Sequence, residues 1–386
     1  MLPVVSAVIA GLLVAGVVGT ATVDGAQEGT SPSRPSTTSA ASTTAPSPAA
    51  EAGIEAVVRT LQGFVERERG LAFKWPVDVT LLAGDAFEAR LVEGGDEELE
   101  EVRDAEAVLR AMGMLDRDVD LVETVRAFSA GAVLGFYDTE TKELVVRGAE
   151  PTPLVRTVLV HELLHALEDQ HFDLERDELG DEAFLGFQAL VEGSAIRIED
   201  RYRGSLSRRE RLSLGVEELR HVARVPGDVP RVVEALFGFP YAYGPDLVDA
   251  VVRAGGQARL DAAFADPPAS TEQVLDPADY LRGDEPRTVP VPAADGPAFD
   301  DGEIGELFLV LMLDAELRSG DAQEAADGWG GDRYVAWPDG DRTCVRMDFL
   351  MDTEADADEL AGALARWAGE RSGRATASGT SLRTCG

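Results

Sequence analysis

The chain is short of lysine, cysteine and histidine, and each shortage bears on function. Of its 35 basic residues, only Lys74 and Lys142 are lysines. They stand against 71 acidic residues and leave a formal net charge of −36. A surface of that sign repels nucleic-acid phosphates and anionic membranes, so a nucleic-acid partner is excluded. The cysteines, Cys344 and Cys385, supply neither a lipobox nor a cysteine switch, and in an exported protein they would pair as one disulfide. The glycine-rich stretch GWGGDRY lacks the Lys-Ser/Thr ending of a phosphate-binding loop, and a structural pairing of Asp332 with Arg333 is the expectation there. No internal repeat is visible. Histidine occurs four times, at 161, 165, 171 and 221, which gives weight to where those residues fall.

Residues 2–23, LPVVSAVIAGLLVAGVVGTATV, carry no charge. Residues 1–25 therefore read as a signal peptide or membrane anchor, and the protein as extracytoplasmic, secreted or tethered. Gly19-Thr20-Ala21 suits cleavage, while the absence of a preceding positive charge leaves a misassigned start codon or an uncleaved anchor open. Residues 26–50 are rich in Ser, Thr, Pro and Ala and form no core, so they read as a disordered linker. The folded domain is expected over 51–386.

Apolar spacing predicts helices over 54–70, 97–115, 181–204, 208–222, 229–237, 245–265, 303–318 and 354–370. Strands are expected at 77–82, 334–337 and 344–352. AVLGFYD and KELVVRG (132–138 and 142–148) flank the turn TET as a β-hairpin. Thr152 and Pro153 then cap and open a further helix that runs through HELLH. The fold class is a helix-rich α+β.

On that helix His161 and His165 are about 400° apart, so they project from one face a turn apart and can take adjacent corners of a zinc tetrahedron. Glu162 beside them suits a general base that takes a proton from an activated water. Two ordinary core histidines would leave Glu162, inside an apolar run, without a reason.

Two residues compete as third ligand. His171 holds the last place of the longer pattern HExxHxxGxxH, but Glu168 occupies the glycine position that frees the chain to turn back. Glu192 is the better candidate: it is an acid in an apolar helical stretch, needing a cation, and Gly193 beside it would admit the HELLH helix closely. A salt bridge from Glu192 to Arg197 or Arg201 is the alternative. Asp169 and Glu199 are placed to hold the far nitrogen of a ligating histidine.

HELLH followed by a glutamate in the context EGxA resembles the gluzincins, the zinc metallopeptidases related to thermolysin. GFYDTETKELVV, HELLHALEDQHFDL, ALVEGSA, PYAYG, PPASTEQVLDPADYL and AADGWGGDRY further resemble predicted exported metallopeptidase-like proteins of actinobacteria and archaea, over roughly residues 51–370. The resemblance implies a gluzincin core, with a β-hairpin before the HExxH helix and the zinc site within 150–204. Zn2+ would be held by His161, His165 and Glu192, with Glu162 as base. One departure is Asp276-Pro277, where the family has His-Pro.

In such a core the hairpin edge pairs with an extended peptide. Tyr241 leads the candidates for stabilising the oxyanion, ahead of Tyr243, Tyr202 and His221. The expected function is a secreted or membrane-tethered zinc metallopeptidase acting on peptide or protein substrates. The alternatives are a non-catalytic cell-surface domain and a zinc hydrolase of a non-peptide bond.

Overall fold

The computed structural model describes residues 15–17, 48–91, 96–176, 178–371 and 373–386. The expected leader or anchor and the linker lie outside these, apart from residues 15–17 and 48–50. The elements of the first half are β1 (Ala15–Val17), α1 (Pro48–Arg69), β2 (Asp78–Leu82), α2 (Asp85–Leu91), α3 (Asp96–Ala111), α4 (Leu121–Ala132), β3 (Val133–Tyr137), β4 (Glu143–Arg147) and α5 (Pro153–Phe172). They continue with α6 (Asp181–Ser205), α7 (Arg208–Val222), α8 (Arg231–Ala265), α9 (Glu272–Leu275), α10 (Pro277–Arg282), β5 (Asp300–Gly302), α11 (Gly305–Asp314), α12 (Ser319–Ala326), β6 (Trp329–Asp339), β7 (Arg342–Met351), α13 (Glu354–Glu370), β8 (Ala375–Ser378) and β9 (Ser381–Cys385). The class is the expected helix-rich α+β.

Two small sheets divide the work. The first has the order β1-β3-β4-β2, with β3 and β4 forming the expected antiparallel hairpin and β2 parallel to β4. Helix α5 lies against it: Leu159, Leu163 and Leu167 join Leu134, Tyr137, Leu144 and Val146 in one apolar cluster with Leu61 and Val65 of α1. The second sheet, β5-β6-β7-β9-β8, is antiparallel and is backed by α13, whose Leu360, Leu364 and Trp367 are buried. Cys344 and Cys385 face each other across β7 and β9 and form the expected disulfide. No helix of the described residues is long and apolar enough to cross a membrane.

Several expectations need correction. Residues 121–132 form α4, capped by Asp120, whose carboxylate accepts from Glu123 N; helix 97–115 stops at Ala111, and 303–318 shortens to α11. The late strands are longer, because the glycine-rich GWGGDRY starts β6 rather than forming a loop. Asp332 and Arg333 do not pair with each other: Asp332 accepts from Ile304 N, Gly305 N and Trp329 Nε1, while Arg333 pairs with Asp301 and Glu303. Finally, α8 runs unbroken through PYAYGP with Pro240 and Pro245 inside it, and breaks instead at Gly255-Gly256. Packing against α6 overrides the local cost of two missing amide donors. The closest point is glycine on glycine, since a Cβ on Gly193 would sit 2.2 Å from Gly244 O.

Candidate metal centre

Helix α5 is fixed at its start by Thr152, whose hydroxyl accepts from Val155 N, and by Pro153 in the first turn. This sets the rotation that turns His161, Glu162 and His165 inward, at exposures of 1%, 0% and 0%. Helix α6 brings Glu192 against them, 2% exposed. The ligand atoms of His161, His165 and Glu192 all lie within 4.8 Å of one another, and no other such group among the described residues is free of the disulfide cysteines.

His161 Nε2 is 3.0 Å from Glu192 Oε2, and His165 Nε2 is 3.7 Å from the same oxygen. Donor atoms on a tetrahedral ion with bonds of about 2.1 Å stand about 3.4 Å apart, so these separations bracket what a shared cation needs. His165 supplies the sharper observation. Both its ring nitrogens are buried without a hydrogen-bond partner, although one of them must carry a proton in the neutral ring. A buried polar ring left so is costly, and a cation bound by Nε2 would give that nitrogen a partner. Two imidazoles and a carboxylate are a donor set suited to zinc.

Electrostatics agree with a site built for positive charge. Burial opposes ionisation of His161, but hydrogen bonds to Glu192 and Glu199 prevail and hold its pKa well above the ordinary value. Burial lowers His165 to about 4. Burial also disfavours the Glu192 anion, yet the two histidines outweigh it and bring its pKa down to about 2.

Glu199, two turns along α6, lies 3.0 Å from His161 Nδ1 and is itself held by Arg203 at 2.7 Å. That is the arrangement which fixes the tautomer of a ligating histidine. Asp169, expected in the same role, accepts instead from Tyr137 Oη, Lys142 Nζ and Leu174 N, tying α5 to the hairpin. Arg197 and Arg201 pair with Asp249 and Glu68, so neither neutralises Glu192. His171 meets Ala72 O and His221 meets Ala132 O, apart from the histidine pair.

The Gly193–Gly244 contact is also what delivers Tyr241. Its ring lies alongside that of His161, centroids 6.3 Å apart and planes 17° from parallel. Gly193 thus admits α8, not the HELLH helix as expected. Tyr243 is exposed beside Phe239, and Tyr202 packs edge-on to Phe64. On the other side, a Cβ on Gly135 of β3 would meet Glu162 Cγ at 3.2 Å, so a glycine in the strand seats the glutamate. Asp276, where the family pattern has histidine, caps α10 through Ala278 N.

One residue was missed. Glu168 accepts from buried Arg69 and from Ser194 Oγ, each at 2.6 Å, which clamps α1, α5 and the EGSA turn of α6 together behind the histidines. Its signal in the sequence is the same as that of Glu192: an acid inside an apolar helix.

A domain of unknown function, DUF8575, matches residues 291–384. That span holds the second sheet and none of the centre's residues. No curated protein and no solved structure matches the chain.

Proposed function

We propose that the protein is a zinc-dependent peptidase of gluzincin type, exported or membrane-tethered, with His161, His165 and Glu192 as ligands. The observation that carries this reading is the convergence of those three buried side chains, with both ring nitrogens of His165 lacking a hydrogen-bond partner. Zinc held there would act as a Lewis acid on the scissile carbonyl and lower the pKa of water.

Glu162 adjoins the ligands on the same helix and takes the proton of the attacking water, then hands it to the departing amine. Glu199 and Arg203 hold the His161 ring in one tautomer. Tyr241, beside His161, is the donor for the developing oxyanion. An extended substrate would take the place of Ala15–Val17, which pair antiparallel with β3 next to α5; main-chain bonding of this kind reads extended peptides.

Burial favours a second reading. Exposures of 0–2% at Glu162, His165 and Glu192 suit a closed structural metal in a non-catalytic domain, because catalytic sites keep a position open. Cleavage of a peptide library by the zinc-loaded full chain, run beside cell-wall fragments, separates the readings. Glu162→Gln is expected to lower cleavage by about 10²–10⁴-fold with metal content unchanged. Folded, metal-loaded wild type that cuts no peptide would transfer the proposal to the non-catalytic reading, and cleavage of the cell-wall fragments alone to a non-peptide hydrolase.

A further inference from the structure

Helix α7 is the exception to the acidic surface. Its inner face carries every acid it has: Glu210 bonds Arg156, Glu217 bonds Thr152 Oγ1, and Glu218 bonds Arg203. Leu214 and His221 are buried on that face too. The outer face presents Leu212, Val216 and Leu219 at exposures of 66%, 47% and 74%. At about 100° per residue these three fall within about 60° of the helix circumference. Arg208 borders the stripe on one side, and Arg209 and Arg220 on the other, within about 20–40° of its edges. All three arginines are exposed, and none forms an ion pair with a described residue. A chain of net charge −36 thus turns one helix face outward with no acid on it, an aliphatic centre and a cationic rim.

We propose that this face of α7 docks on an anionic lipid surface, with the aliphatic stripe entering the headgroup boundary and the arginines meeting the lipid phosphates. That pattern of apolar centre and basic flanks is what holds a helix in a membrane interface. Arginine stems add apolar contact while their heads remain hydrated. The uncharged run of residues 2–23, if it serves as the leader or anchor of the proposed function, would bring the chain to a membrane. A second copy fits less well, because a two-fold contact would set the arginine rim against itself. The rest of the surface repels the same lipids, so binding would be oriented, with α7 the element that touches.

The test uses the full chain with Val216→Cys carrying a polarity-sensitive fluorophore, and Asp341→Cys in the β6–β7 turn as control. Residues 2–23 are present throughout, so their contribution cancels. The expected result is a blue shift of the label at 216 on phosphatidylglycerol vesicles and none on phosphatidylcholine, with the label at 341 unmoved. Arg208→Gln, Arg209→Gln and Arg220→Gln together should weaken that partitioning by roughly a hundredfold, at about tenfold or less per charge. These exposed positions leave the fold intact, which circular dichroism checks. A label at 216 that stays in water while the vesicles bind protein overturns the proposal. So does a shift equal on both lipids, one that grows with protein concentration without lipid, which would identify a second copy, or one reproduced by soluble polyglutamate, which would identify an acidic protein partner.

Discussion

Helix α6 carries two buried glutamates, ten residues apart, that meet opposite fates. Glu182, at its start, is 3% exposed, and Glu192, at its centre, 2%. Burial disfavours the anion in both. Glu192 faces two histidines and is held ionised, its pKa down at about 2. Glu182 accepts from Thr271 N and Oγ1, each at 2.8 Å, but its charged neighbours are Asp332 and Glu303, so burial prevails and its carboxyl is pushed well above the ordinary range. It sits against the left-handed Gly305, where a Cβ would come within 1.9 Å of its carboxyl carbon. Glu182 is thus a strut joining α6 to the start of α11, while Glu192 is the proposed ligand. Burial alone distinguishes neither; the charge across from each does.

The comparison breaks most strongly at Glu192. Structural zinc binding of about 10–16 kcal/mol over four ligands is roughly 2.5–4 kcal/mol each, so Glu192→Ala should weaken zinc by about a hundred- to a thousandfold in a chelator competition. Glu199→Gln leaves all three ligands and should cost about 10–100-fold in the same assay. Glu182→Gln should leave zinc affinity unchanged in that assay, since Glu182 lies outside the ligand group.

The pH dependence sharpens the contrast, measured by urea unfolding with chelator present. Glu182 has a raised pKa, so its contribution is complete below the ordinary carboxylate value and is lost as pH rises through the folded value. The wild type should therefore gain on Glu182→Gln as pH falls from 8 toward 4. Glu192 has a lowered pKa, so its contribution is present above the ordinary value near 4.5 and is lost as pH falls through about 2. The wild type should lose ground to Glu192→Gln on acidification below about pH 4.5.

Much of the centre was legible in the sequence, because a helix repeats at a known angle and a buried acid advertises a partner. HELLH, Glu192 and Glu199 came from that reasoning. The same angle misled at Asp169, which lies on the ligand side of α5 but one turn too far along, within reach of Tyr137 and Lys142. Glu168 was read only as a missing glycine, since its partner Arg69 is 99 residues away. Tyr241 was chosen from a supposed loop and arrived beside His161 from a continuous helix. The contact of Gly193 with Gly244 that brings it there is a property of two helices packing, which no local pattern carries. Helix α4 was missed although Asp120 is a good cap, because the apolar run that follows it passes directly into β3.

The central claim is that His161, His165 and Glu192 share one cation, and metal content of the purified, folded full chain after dialysis against zinc tests it most directly, with His165→Ala alongside. The account predicts one zinc per chain in the wild type and none retained by His165→Ala. Folded wild type that retains no zinc, or a His165→Ala variant that retains it undiminished, would contradict it.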